Sequence, residues 1–418
     1  MSAEAAVRDA VADTGVTHAQ QPAVVPPRVS LSDFDIVYFG NDWFAENRTS
    51  SHHVAARLAK RTRVLYVDSP GLRAPKATGR DLRKLRRKLL TAAAKPRQVA
   101  ERMWHITMPQ VPFRRLPAVA GLNRAAGRWM VRRAMKHLGF EQTISWFVVP
   151  HPGILAGKLD EAMTVYYCID DYAALPDVDA EAVSAMDAHL LRSADQVFVA
   201  SGLLLDSKRQ ANPSAIHAPH GVDVDLFRQA ADPRLAPAEE TTSLPRPIIG
   251  FYGLIEAWID LDLIASLAKQ RPQWTFLLIG RLAVDAGPLR DLRNVVFTGP
   301  QPYDSLPRWA RAFDVAIIPY RRTRQVVNSN PLKLREYLAT GKPIVAVSAP
   351  EIDRFAAHVR IAATPQQFLE QIEAALATDT PAYQQARMQS VSGQSWDARI
   401  DDVVRVVEQR LTERSLPH

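Results

Sequence analysis

The feature that most restricts how this 418-residue chain can fold is a succession of short apolar runs separated by helical segments. Nine runs stand out: "DIVYF" from Asp35, "VLYV" from Val64, "ISWFVV" from Ile144, "TVYYCI" from Thr164, "QVFVA" from Gln196, "IIGFY" from Ile248, "TFLLI" from Thr275, "VAIIP" from Val315 and "IVAV" from Ile344. Each is rich in β-branched or aromatic residues and apolar at consecutive positions, as strands covered on both faces must be. Their alternation with helices predicts parallel sheets built from βαβ units. The length exceeds what one core usually holds, so two doubly wound, Rossmann-like domains are expected. Ligands of such sheets sit beyond the carboxyl ends of the strands, which places the expected site in the cleft between the domains.

Residues 1–30 carry no basic stretch followed by an apolar one and read as a disordered tail. A first domain is expected over 31–226 and a second over 248–390, with a closing helix over 391–418. Between the domains, "FRQAADPRLAPAEETTSLPRP" (227–247) has the Pro, Glu and Thr content of a linker. No run of about 18 apolar residues exists to span a bilayer. The single cysteine, Cys168, lies inside an apolar run and reads as a small core residue. It excludes a disulfide framework and suits a reducing compartment, so a cytoplasmic protein is expected.

The net charge of +8 is concentrated: between Gly71 and Phe140 there are 18 Lys or Arg and two acids, Asp81 and Glu101. Within this segment Leu82, Leu85 and Leu89 repeat at helical spacing, leaving Arg83, Lys84, Arg86 and Arg87 on a basic face. Such a helix suits the anionic inner face of a membrane. A solvated face is the bland alternative. Nucleic acid fits less well, because aromatics are not interleaved with the charge.

The stretch "NSNPLKLREYLATGKPIV" (328–345) reads as a helix running into a strand. Asn330 suits an N-cap, Pro331 the first helical position and Gly341 the stop. Helix N-termini favour acids, yet this one carries Lys333 in its first turn and no acid until Glu336. A lysine there would reinforce an anion site made by free backbone N–H groups. Glu336, three residues on, shares its face and could bind both hydroxyls of a ribose. The pair suits a nucleoside diphosphate; an ordinary surface ion pair is the alternative.

"NPLKLREYLATGKPIV" also resembles the signature of GT-B glycosyltransferases, in the group that builds bacterial exopolysaccharides and teichuronic-acid-type envelope glycans. Further stretches are similar to that group in the right order: "PHGVDVDLF" from Pro219, "IIGFYGLIEAWIDLDLI" from Ile248, and "WTFLLIGR" followed by "NVVFTGPQPYDSLPRWARAFDVAIIPY". The resemblance implies a GT-B fold, with a nucleotide-sugar donor, taken as a UDP-sugar, on the second domain. It places a lipid-linked or oligosaccharide acceptor on the first, at the cytoplasmic face of the membrane. Glu336 matches the acid that holds the donor ribose. Retaining members carry a second acid eight positions earlier; here that position is Asn328, so the stereochemistry stays open. Arg281 and Gly253, after the first two strands of the donor domain, are expected near the diphosphate. Of the pair Asp170 and Asp171 at the end of "TVYYCI", Asp171 is taken as general base, with Asn41, Asp42 and His53 as further acceptor-side residues. His220 and Gly221 belong to the hinge. Neither "DVD" (177–179, 223–225) follows a donor-domain strand, so no metal is expected, nor any cofactor beyond the co-substrate. The alternatives are a nucleotide-sugar epimerase of the same fold and a non-catalytic scaffold module.

Overall fold

The computed structural model describes residues 29–68, 95–108 and 117–415. The expected tail, apart from its last two residues, and the basic helix with Arg83, Lys84, Arg86 and Arg87 lie outside them.

The first domain is an eight-stranded sheet. Its strands are β1 (Asp35–Gly40), β2 (Val64–Asp68), β3 (Arg97–Ala100), β4 (Met103–Thr107), β5 (Thr143–Phe147), β6 (Met163–Cys168), β7 (Gln196–Val199) and β8 (Ile216–His217), in the order β3-β4-β2-β1-β5-β6-β7-β8. All neighbours are parallel except β3 with β4. The helices between them are α1 (Ser50–Ala59), α2 (Pro117–Leu138), α3 (Ala180–Ser193) and α4 (Gly202–Ala211). The second sheet contains β9 (Ile248–Tyr252), β10 (Thr275–Ile279), β11 (Val295–Gly299), β12 (Val315–Ile318), β13 (Ile344–Val347) and β14 (Arg360–Ala362), in the order β11-β10-β9-β12-β13-β14. Its helices, with one that precedes it, are α5 (Val224–Arg228), α6 (Leu261–Gln270), α7 (Leu306–Ala312), α8 (Arg324–Asn328), α9 (Leu332–Thr340), α10 (Pro350–Asp353), α11 (Pro365–Thr378) and α12 (Pro381–Ser390). A last helix, α13 (Trp396–Ser415), closes the chain. This is the GT-B architecture.

Each sheet is apolar on both faces for the reason the runs suggested. In β1, Ile36 and Tyr38 face α1 and α13, packing with Val54, Ile400 and Val407, whereas Val37 and Phe39 face α2 and α3, packing with Val131, Met135 and Leu190. Alternation along β9 likewise sends Ile248 and Tyr252 toward Trp309 and Tyr337, and Ile249 and Phe251 toward Ile264 and Phe368. Cys168 lies in the core, and burial pushes its thiol up to about 12.

The segment expected to be a linker is instead folded onto the second domain. Phe227 is fully enclosed, and Ala230 and Ala238 join the same core. Its prolines deny it a place in a sheet, so its carbonyls are bonded by side chains: Arg308 donates to Ala236 and Pro237, and Arg311 to Ala230 and Pro233. The crossings between domains are shorter than that and run side by side. Val222 donates to the carbonyl of Gln394 at 3.0 Å, and Trp396 returns a bond to Val222 at 3.2 Å. A Cβ on Gly221 would lie 2.6 Å from the Trp396 backbone, so only glycine lets the two segments meet.

Candidate functional site

The carboxyl ends of β9 and β10 face those of β1 and β6 across a cavity of about 340 Å³. Its second-domain wall includes Asn330, Pro331, Leu332 and Lys333, the entry to α9. The cap differs from the expected one: Pro331, not Asn330, is the N-cap, and no side chain bonds the first turn. Asn330 cannot serve, because its side chain is already committed in the interior. Its Nδ2 donates to Glu351 at 2.8 Å, and its Oδ1 accepts from Arg335 at 2.6 Å. The first N–H groups of α9 therefore keep their hydrogen-bonding capacity where the helix meets the cavity. Gly341 ends the helix in the left-handed region (φ 73°), as its position implied.

Lys333 Nζ lies 3.0 Å from Glu336 Oε2 and 4.9 Å above the ring of Tyr252. The Glu336 side chain is only 4% exposed, and Tyr252, Tyr303 and Tyr320 all sense it. Burial first, then this carboxylate, holds their three hydroxyls well above the usual phenol range. The ammonium thus rests on an aromatic face beside an enclosed acid, an arrangement that holds its charge in place.

Gly253 and Gly280 close the cavity floor. Both have positive φ, 145° and 136°, and a Cβ on Gly280 would lie 1.9 Å from the Gly253 carbonyl oxygen. A Gly280→Ala variant should lose several degrees of melting temperature and bind anions at the cavity more weakly, read by thermal unfolding and calorimetry. Unchanged behaviour would mean the two turns are not in contact.

The aspartate pair divides differently from expectation. Asp171 is 4% exposed, and its carboxylate accepts from Arg324 Nε at 2.9 Å and Asn328 Nδ2 at 2.8 Å, both on α8 of the other domain. It bridges the two domains through Oδ2 and is not among the residues that line the cavity. Asn328, likewise, spends its amide on that bridge and does not line the cavity. Asp170 does line it. One of its oxygens accepts the Asp171 N–H at 2.8 Å, and Gln325 reaches it from α8. Burial raises its carboxyl to about 6, and the Asp171 charge adds to this.

Three other expected residues lie apart from the cavity wall. Asp42 is an exposed turn residue accepting from the Phe44 N–H at 3.0 Å. His53 is buried, stacked on Trp396 at 5.0 Å beside Arg57 and Asp223; burial first and then the Arg57 charge press its pKa well below the ordinary value. Arg281 is half exposed and pairs with Glu46 of the first domain at 3.5 Å, so it spans the mouth of the cleft. His220 does line the cavity, with Nδ1 2.8 Å from the Asn330 carbonyl oxygen, and burial lowers it to about 3. It is neutral, donates from Nδ1 and so fixes the loop ahead of α9. Sequence reasoning missed Gln325, Arg48 and Tyr303 as lining residues. Arg48 lies 5.5 Å from the Tyr303 ring centroid across the domain boundary, a pairing that no local pattern announces. Among the described residues no cluster of three or more His, Cys, Asp or Glu could hold a metal.

Residues 246–378 match the family described as glycosyl transferases group 1. The chain is 28% identical over 233 residues to TuaH of Bacillus subtilis strain 168, assigned as a teichuronic acid biosynthesis glycosyltransferase. That match spans 51% of this chain and 57% of the relative, so little more than half of the curated protein's length is covered. Among solved structures, sucrose-phosphate synthase of Thermosynechococcus elongatus aligns with a TM-score of 0.66 at 15% identity, over 90% of this chain and 98% of that one. α,α-Trehalose 6-phosphate synthase of Burkholderia multivorans gives 0.65 at 11%, over 91% and 100%. HepE of Anabaena, in complex with UDP and glucose, gives 0.62 at 13%, over 90% and 100%. At these identities the structural likeness speaks for the fold.

Proposed function

We propose that this chain, whose second domain matches group 1 glycosyl transferases within a GT-B fold, is a glycosyltransferase of envelope glycan synthesis. It moves a sugar from a nucleotide-sugar donor to a lipid-linked or oligosaccharide acceptor. The observation that carries this reading is Lys333, at the wall of the interdomain cavity on the side-chain-uncapped first turn of α9, with the enclosed Glu336 paired behind it. The first-turn N–H groups and Lys333 take the donor diphosphate, and Glu336 takes the ribose hydroxyls. Gly253 and Gly280 leave room for the backbone to approach a phosphate. When the bond from the sugar C1 to the phosphate oxygen breaks, charge grows on the nucleoside diphosphate, and Lys333 with the helix end stabilises it.

Asp170 takes the proton of the acceptor hydroxyl as its oxygen attacks C1. A carboxyl raised to about 6 is a stronger base than an ordinary aspartate and is still largely ionised at neutral pH. The UDP-sugar class is favoured by the Anabaena neighbour, which holds UDP and glucose. The protein works at the inner face of the membrane as a peripheral enzyme; among the described residues no helix is long and apolar enough to cross one.

A panel of UDP-, GDP- and TDP-sugars in a chelator-containing buffer tests the reading by thermal shift. One nucleotide class should raise the melting temperature, since a ligand bound to the native state alone stabilises it. No shift with any of them would sink the proposal. Slow donor hydrolysis without acceptor would further separate an enzyme from a silent scaffold.

A further inference from the structure

Among the described residues, helix α2 is packed on one side and exposed on the other. Met130, Val131, Ala134 and Met135 pack into the first domain, and Gly127 lets the helix press close, since a Cβ there would lie 3.0 Å from Met108 Sδ. The outward side carries Leu122, 58% exposed, and Trp129, 59% exposed, seven residues or two turns apart, with exposed Ala125 and Ala126 between them. Large apolar side chains do not gather on a solvated stripe without a reason. Arg124 and Arg128 flank the stripe, Arg133 stands 5.4 Å over the Trp129 ring and Lys136 follows. No acid occurs from 117 to 140.

We infer that this face docks on an anionic phospholipid bilayer. Leu122 and Trp129 enter the boundary between headgroups and acyl chains, and the arginines and Lys136 meet lipid phosphates. Charge selects the partner: the charged residues of the helix itself are all cations, of which, among the described residues, Arg132 alone is paired, with Asp160; such a stripe suits a negatively charged surface, and tryptophan favours the membrane interface. A nucleic acid would use the charge but has no use for an exposed leucine. The placement also has a direction. Because α2 ends just before the amino end of β5, its first turns lie toward the carboxyl edges of the strands, the edge that borders the cleft. The apolar half of the stripe is therefore the half nearer the site, where a membrane-held acceptor would enter. The surface is argued without reference to the donor site, so either reading can fail alone.

The test is co-flotation of the full chain with phosphatidylcholine vesicles, with and without phosphatidylglycerol. The wild type should float with the anionic vesicles and not with the neutral ones, and salt should weaken the binding. The double variant Leu122→Ser/Trp129→Ser should lose about tenfold in partitioning. Its melting temperature and nucleoside diphosphate affinity should match the wild type, because both side chains are exposed and neither lines the cavity. Arg124→Glu/Arg128→Glu should lose binding as well. Wild-type partitioning by the Leu122→Ser/Trp129→Ser variant would overturn the proposal, as would no vesicle binding by the wild type. Binding of single-stranded RNA in place of vesicles would overturn it too.

Discussion

Replacing Asp170 by asparagine should lower turnover by about a hundred- to ten-thousandfold, the usual cost of losing a positioned general base. Donor affinity should change little, because the substitution keeps the shape of a group that faces the acceptor side. The same carboxyl carries a stability signature. Burial raises it to about 6 in the folded chain, above the unfolded value near 4. Its contribution is therefore fully present below pH 4 and is lost as the pH rises through 6, where the charge must be held in a poorly solvated place. Asp170→Asn should then melt above the wild type at pH 7.5 and close to it at pH 4, the difference amounting to about 3 kcal/mol at most. The wild-type rate should fall on the acid side with an inflection near 6. His220, held neutral down to about 3, does not compete for that inflection. Full turnover by Asp170→Asn, with no acid limb, would remove Asp170 from the chemistry. The comparison variant is Asp171→Asn, which weakens the bridge to Arg324 and should cost far less turnover.

Glu336→Ala and Lys333→Met should each weaken UDP binding about ten- to a hundredfold, the span that losing a charged hydrogen bond to a ligand commonly covers. Methionine is chosen so that the stem of residue 333 still packs on Tyr252. The two variants should differ in one respect. Removing the lysine leaves an enclosed carboxylate without its cation, so Lys333→Met should also melt lower than the wild type. Glu336→Ala leaves an ammonium that is 18% exposed, against 4% for the carboxylate, so solvent reaches it more easily. Calorimetry with UDP decides the matter, and unchanged affinity in both variants would reject the assignment of this helix end.

The architecture was legible because it depends on a local pattern: runs such as "IIGFY" are apolar at every position, and only a sheet covered twice hides them. All nine runs form strands. Five strands lie outside these runs; four lack the pattern, and β11, which opens with "VVF", carries it only in part. β3 lies exposed at the sheet edge, and β4 mixes His105 and Thr107 among its apolar residues. The Lys333–Glu336 pair was legible for a similar reason, since helical spacing alone sets it. The roles of Asp170 and Asp171 were not. Neighbours in sequence point in different directions, and which one meets the cavity depends on where Arg324 and Asn328 arrive from another domain. Asn330 misled for the same reason: its partners Glu351 and Arg335 are distant or on the far side of a turn, so a good local cap was spent on an interior contact.

The return of α13 to the first domain makes the second domain an insertion within a single folding unit. Ile400, Val403, Val407 and Leu411 lie against the same face of the first sheet as Ile36, Tyr38 and Val54. That face therefore stays open on the ribosome while the entire second domain is made, and it is covered only when α13 emerges. A nascent chain can complete the second domain before the first, which precedes it in sequence. A premature stop near residue 390 would spare the second domain's fold yet leave a sticky, unfinished partner attached to it. Order of synthesis and order of completion run in opposite directions here.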